Sequence, residues 1–84
     1  MKPKAQYLSY RNRPFQLEND LRKNRTVLFK YRKANGQFRY ARGRIPMAWR
    51  DRMGITTTSE GLEILIYWDI DRAAPRSFYT NFLL

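Results

Sequence analysis

Between Thr26 and Pro46 the chain alternates: Val27, Phe29 and Tyr31 fall on one face of an extended segment, with Leu28, Lys30 and Arg32 on the other. Asn35-Gly36 follows, and both residue types accept the positive φ of a type I′ turn, so the pattern predicts a β-hairpin. A two-residue turn sets Tyr31 opposite Tyr40, Lys33 opposite Phe38 and Phe29 opposite Arg42. The rings then share one face, and Leu28, Lys30, Arg32, Arg39, Ala41 and Gly43 form a basic, wet one. A slip of one residue in the second strand would exchange its faces and send Phe38 and Tyr40 outward among the arginines.

The flanking segments are read in the same way. "PFQLENDLRKN" opens with Pro14, suited to the first helical position, and stacks Leu17 and Leu21 one turn apart; Glu18 precedes Arg22 in the favourable order for an ion pair. A short helix over about 14–23 is predicted, ended by Asn24. After the hairpin, "PMAWRDRMG" reads as one turn of helix closed by Gly54, and the Thr-rich "ITTTSEG" as a loop or short strand. In "LEILIYWDI" both faces carry apolar residues, Leu62, Ile64, Ile66, Trp68 and Ile70 on one and Leu65 and Tyr67 on the other, as expected of a central strand covered on both sides. "DRAAP" turns the chain into a last strand within "RSFYTNFLL".

One helix followed by four or five short strands, with no βαβ alternation, predicts a mainly all-β fold: a small, curved antiparallel barrel, which also covers sheet edges. The expected organisation is a basic arm over residues 1–13, mobile at its start, and a single domain over 14–84 that includes the helix.

Composition narrows the function classes. A chain of 84 residues with 43% hydrophobic and 15% aromatic content folds as one small domain rather than remaining disordered. There is no Cys and no His, so thiolate and imidazole metal sites are excluded, and neither metal nor cofactor is expected. No run of 18 or more apolar residues and no leader-like segment is seen, so a cytoplasmic protein is expected. The net charge is +10, and it is unevenly placed: residues 1–50 hold fourteen Lys or Arg against two acidic residues, whereas residues 51–84 hold three against five. Such one-sided charge is the footprint of a polyanion binder, most often of nucleic acid.

Four groups of residues carry candidate chemistry. In the hairpin, Lys30, Arg32, Lys33, Arg39, Arg42 and Arg44, interleaved with Tyr and Phe, supply the two elements of single-strand recognition, cations for phosphates and rings for bases. The alternative is that the rings are core and the cations a solvated face. In the arm, Arg11 and Arg13 near Tyr7 and Tyr10 are placed to add phosphate contacts, as basic arms do. Arg50 and Arg52 beside Trp49 form a third basic group. Asp69 and Asp71 point to one face of a strand, but without His, Cys or a third ligand they read as structural partners of Arg76 or Arg72 rather than as catalysts.

The order Tyr31, Asn35-Gly36, Arg39, Ala41, Gly43, Pro46, Tyr67 to Asp71, then Arg76-Ser77-Phe78 before a terminal apolar pair, resembles the WYL-like branch of Sm-like SH3 barrels over about residues 26–84. It looks closest to the small stand-alone proteins of bacteriophages and gut Bacteroidetes. Two features depart from the larger WYL proteins: Tyr67-Trp68-Asp69 stands where the name-giving Trp-Tyr-Leu would be, and no helix-turn-helix precedes the barrel. The resemblance implies a barrel of SH3/Sm topology that functions by binding nucleic acid or anionic ligands. The expected function is that of a non-enzymatic nucleic-acid-binding accessory or regulatory protein, of phage or mobile-element origin, with DNA and RNA both open. The alternative expectation is a small interaction module whose basic face docks on an acidic bacterial protein; an RNase-type activity, which does not strictly require His, stands third.

Overall fold

A computed structural model describes residues 6–23 and 25–84. The order is helix α1 (Pro14–Arg22), strands β1 (Val27–Arg32) and β2 (Phe38–Arg44), a 3-10 turn (Met47–Trp49), strands β3 (Gly54–Thr57), β4 (Glu63–Asp69) and β5 (Ala74–Tyr79), and a second 3-10 turn (Thr80–Phe82). Pro14 opens the helix as expected. The predicted terminator Asn24 lies outside the described residues, as do Lys2, Lys4 and the start of the arm.

All strand pairings are antiparallel, and β4 is central. β5 pairs with β4 from Ile64 to Asp69; β3 pairs with its first half and β2 with Trp68 and Asp69. Closure onto β1 comes from Leu8 on one side of the helix in sequence and from Leu83 and Leu84 on the other. Leu83 bridges Tyr31, and the Leu84 amide donates to the Lys30 carbonyl at 3.1 Å. Further back along β1, Leu8 bridges Phe29 in parallel fashion, and the Leu8 amide donates to the Leu28 carbonyl at 2.9 Å. Residues 8–10 are therefore a strap laid along the barrel rather than a free arm: Tyr10 is buried, and its hydroxyl donates to Asp20 at 2.7 Å. β1 offers an unpaired edge, and these two short segments satisfy it.

The helix seals one end. Leu17 and Leu21 are fully buried, the Ile45 amide donates to the Leu21 carbonyl at 3.0 Å, and the Glu18 carboxylate accepts from the Ile55 amide at 2.6 Å. Arg22 donates to the carbonyls of Arg50 and Met53 at 2.8 and 2.9 Å, tying the 3-10 turn and the start of β3 to the helix. An edge strand and a loop are thus held by side chains that the helix faces toward them.

Two expectations are corrected. The hairpin register is Tyr31 with Arg39, Lys30 with Tyr40 and Arg32 with Phe38, one residue away from the two-residue-turn reading. The Gly36 amide donates to the Lys33 carbonyl and the Lys33 amide to the Gln37 carbonyl, with Gly36 at φ 88°; this is a three-residue loop in which glycine takes the left-handed position. Arg39, Ala41 and Gly43 therefore face inward, and Phe38, Tyr40, Arg42 and Arg44 face out. In β4, the core face is Leu65, Tyr67 and Asp69, whereas Ile64, Ile66 and Trp68 are only partly covered and Leu62 is exposed. The more apolar face of that strand is the outer one, because the inner one carries the Tyr67 ring and the Asp69 carboxylate beside Leu65.

Candidate functional site

Two features meet at the hairpin end of the barrel. The first is the outer face of β1 and β2. Phe38 and Tyr40 are 55% and 59% exposed and stand opposite Arg32 and Lys30, with Arg42 opposite Leu28. The Arg32 guanidinium lies over the Phe38 ring at 5.4 Å, and Tyr7, just before the strap, meets Tyr40 edge-on at 5.2 Å. Phe38 and Tyr40 lie side by side among cations on one extended face, and a contiguous apolar patch rimmed by charge is the pattern that marks an interaction site. Arg42 is 3.4 Å from Asp71, both solvated, a contact of little energetic weight.

The second feature is a cleft of about 400 Å³ bounded by Tyr31 to Ala34 on one side and Arg76 to Tyr79 on the other, with Arg39, Thr58, Ile64 and Phe82. Beneath it lies Asp69, 3% exposed, with Arg76 Nε at 3.2 Å and Arg39 Nη1 at 4.0 Å from the same carboxylate oxygen. The other oxygen accepts the Arg72 amide at 3.1 Å, closing the β4–β5 turn. One carboxylate serves two guanidiniums, so the floor keeps a net positive charge.

The cleft floor continues into the core. Tyr31 stacks on Phe78 at 4.1 Å, Phe29 meets Tyr67 edge-on at 5.1 Å, and the Tyr31 and Tyr67 hydroxyls share a hydrogen bond of 2.9 Å. Burial pushes both phenols above the ordinary tyrosine value of about 10, and Tyr10, buried and donating to Asp20, is pushed up to about 12. Folded tyrosines with raised values stabilise the fold fully below the unfolded value, and that stabilisation is lost as pH rises through the folded ones. The urea midpoint is therefore expected to fall steeply above about pH 10, and phenolate absorbance to include a late phase coincident with unfolding. A titration in which every phenol ionises before the fold is lost would contradict this.

The sequence-derived candidates separate as follows. Lys30, Arg32 and Arg42 lie on the outer ring-bearing face, and Arg44 continues the line opposite Trp68, half-buried. Lys33 and Arg32 line the cleft, and Arg39 turns inward to its floor rather than standing on the wet face. Arg11 lines a shallow groove with Arg32 and Asn81 to Leu84. Arg13 lies apart, donating to the Ser9 carbonyl at 2.5 Å and covering the Tyr10 ring at 5.7 Å. Of the structural set, Asp69 and Arg76 are brought together, whereas Asp71 faces Arg42. The two-residue-turn reading placed Phe38 and Tyr40 in the core, whereas the structure exposes both. The available signal was the pair of small residues, Ala41 and Gly43, which suit a crowded interior better than Phe38 and Tyr40 do.

A five-stranded antiparallel barrel, capped by one helix and closed onto β1 through Leu8 and Leu83, places this protein in the class of small SH3/Sm-type barrels. The chain belongs to the family described as WYL_2, Sm-like SH3 beta-barrel fold, whose sequence model matches residues 15–84. The match extends beyond residues 26–84 to include α1, so the helix is part of the family unit. No curated protein and no solved structure matches the chain. Among the described residues, no helix is long and apolar enough to cross a membrane.

Proposed function

We propose that this protein binds single-stranded nucleic acid along the outer face of its first hairpin, as a non-catalytic accessory or regulatory factor. The observation that carries the reading is the exposure of Phe38 and Tyr40 on one face with Lys30, Arg32 and Arg42. Rings two residues apart on a strand offer successive platforms for unpaired bases, and the intervening cations follow the backbone phosphates. A duplex hides the base faces, so the rings favour a single strand. The charge of the first half of the chain supplies attraction at a distance.

Fluorescence anisotropy with a labelled single-stranded oligonucleotide, DNA or RNA, at low salt provides the test. Affinity is expected to fall with a log-log salt slope of about −0.7 per phosphate contacted, and Tyr40→Ala or Phe38→Ala to cost about 1–3 kcal/mol each. Absence of binding to both nucleic acids at low salt would sink the reading. A second reading rests on a different patch: Met47 and Trp49 are 66% and 41% exposed, with Arg52 over the Trp49 ring at 5.6 Å. An acidic bacterial protein docked there would survive nuclease treatment in a pulldown and be lost on Trp49→Ala.

A further inference from the structure

We propose that the cleft between the hairpin end and β5 receives the terminal phosphomonoester of a nucleic-acid strand, so that the protein reads strand ends; this deepens the strand-binding reading and rests on it. The cleft exists because the barrel wall is incomplete there. β5 is laddered to β4, while β1 is joined to the C-terminal segment only through the Tyr31–Leu83 bridge and the Leu84 amide. Past that point, Arg32 to Ala34 stand away from Arg76 to Tyr79 and enclose about 400 Å³, a volume in the range of small-ligand sites.

Its chemistry is one-sided. Arg32, Lys33, Arg39 and Arg76 line it, with the hydroxyl-bearing Thr58 and Ser77, and no acidic residue reaches its wall. Asp69 below is shared between two guanidiniums. Arg76 Nε is held 3.2 Å from Asp69 by charge without an aligned hydrogen bond, and the Arg76 side chain, 34% exposed, lines the cleft. A guanidinium carries five N–H donors, so pairing with the carboxylate beneath leaves it capacity for an anion in the cleft. Tyr79 and Phe82, edge to face at 5.9 Å, give the same cleft an apolar wall against which a sugar or base can rest.

Why a strand end rather than an internal phosphate follows from charge and position. An internal diester carries one negative charge, whereas a terminal monoester carries about −1.5 to −2 and presents three strong acceptor oxygens, the match for two guanidinium forks. Arg32 belongs to both features, stacked over Phe38 on the outer face and lining the cleft. A strand lying over Tyr40 and Phe38 therefore arrives at the cleft past Arg32.

The experiment compares one labelled oligonucleotide with a 5′-phosphate, a 3′-phosphate or hydroxyls at both ends, and adds a free nucleoside monophosphate and inorganic phosphate as competitors. One phosphorylated form is expected to bind about tenfold tighter than the hydroxyl form. That advantage should vanish in Arg76→Gln and in Lys33→Glu, while Tyr40→Ala weakens all three forms alike. Because Arg76→Gln also removes a partner of buried Asp69, Lys33→Glu at the cleft rim carries the test if that variant does not fold. Equal binding of the three end states overturns end recognition and leaves strand binding standing; no binding of any form overturns both. A free monophosphate that binds as tightly as the phosphorylated strand assigns the cleft to a small molecule and overturns the proposal.

Discussion

Gly43→Ala is expected to lower the unfolding free energy by about 2–3 kcal/mol, and Gly43→Val to leave little folded protein. A Cβ at position 43 would stand 2.6 Å from Tyr67 Cδ2 and 3.1 Å from Phe29 Cε1. Neither ring can step aside. Both are fully buried, packed edge to face on each other, and Tyr67 is tied through its hydroxyl to Tyr31. Nor can the backbone retreat, because Gly43 is paired with Val27 on one side and with Asp69 on the other. Overpacking of an interior commonly costs about 1–3 kcal/mol, and a domain this small has about 4–12 kcal/mol in all. Urea denaturation of the two variants checks the expectation; an alanine variant within about 0.5 kcal/mol of the parent would show that the rings yield.

Asp69→Ala is expected to cost about 3 kcal/mol, near the low end for breaking a buried ion pair. The carboxylate side chain is 5% exposed, whereas those of Arg39 and Arg76 are 15% and 34% exposed, so water screens part of the charge the substitution strands. The loss also frees the Arg72 amide in the β4–β5 turn. The same variant removes the negative charge beneath the cleft, so its affinity for a phosphomonoester is expected to rise while its stability falls. Equilibrium denaturation with Asp69→Ala, and with Asp69→Leu combined with Arg39→Met, separates the contributions: the double variant should recover part of the loss, because one unpaired cation is gone. If Asp69→Ala melts like the parent, the carboxylate does not organise the cleft floor.

Both predictions rest on residues whose importance is hard to see in the chain alone. Gly43 reads as one member of an alternating, cation-rich strand, and Asp69 as a strand-ending acid beside Asp71. What is legible is local. Pro14 with Leu17 and Leu21 specifies the helix, alternation specifies the hairpin strands, and apolar residues on both faces of 62–70 mark the central strand. The concentration of positive charge in the first half is a matter of counting, and the WYL-like pattern ending in Arg76-Ser77-Phe78 is visible without coordinates.

The hairpin register is of another kind. Either face of β2 carries arginines and either turn length accommodates Asn35-Gly36, so the local pattern supports two answers with opposite surfaces. The choice is made by volume elsewhere. Phe29 and the Tyr67 ring of β4 fill the interior against Ala41 and Gly43, leaving no room for Phe38 and Tyr40 on that face. The inward face of β4 is decided likewise, since Asp69 can be buried only because Arg39 and Arg76 arrive from two other strands. The sequence by itself determined the elements, their order, the charge imbalance and the family. The tertiary structure alone decided which rings face water and which cations surround the cleft, because those depend on space and charge brought together from distant parts of the chain.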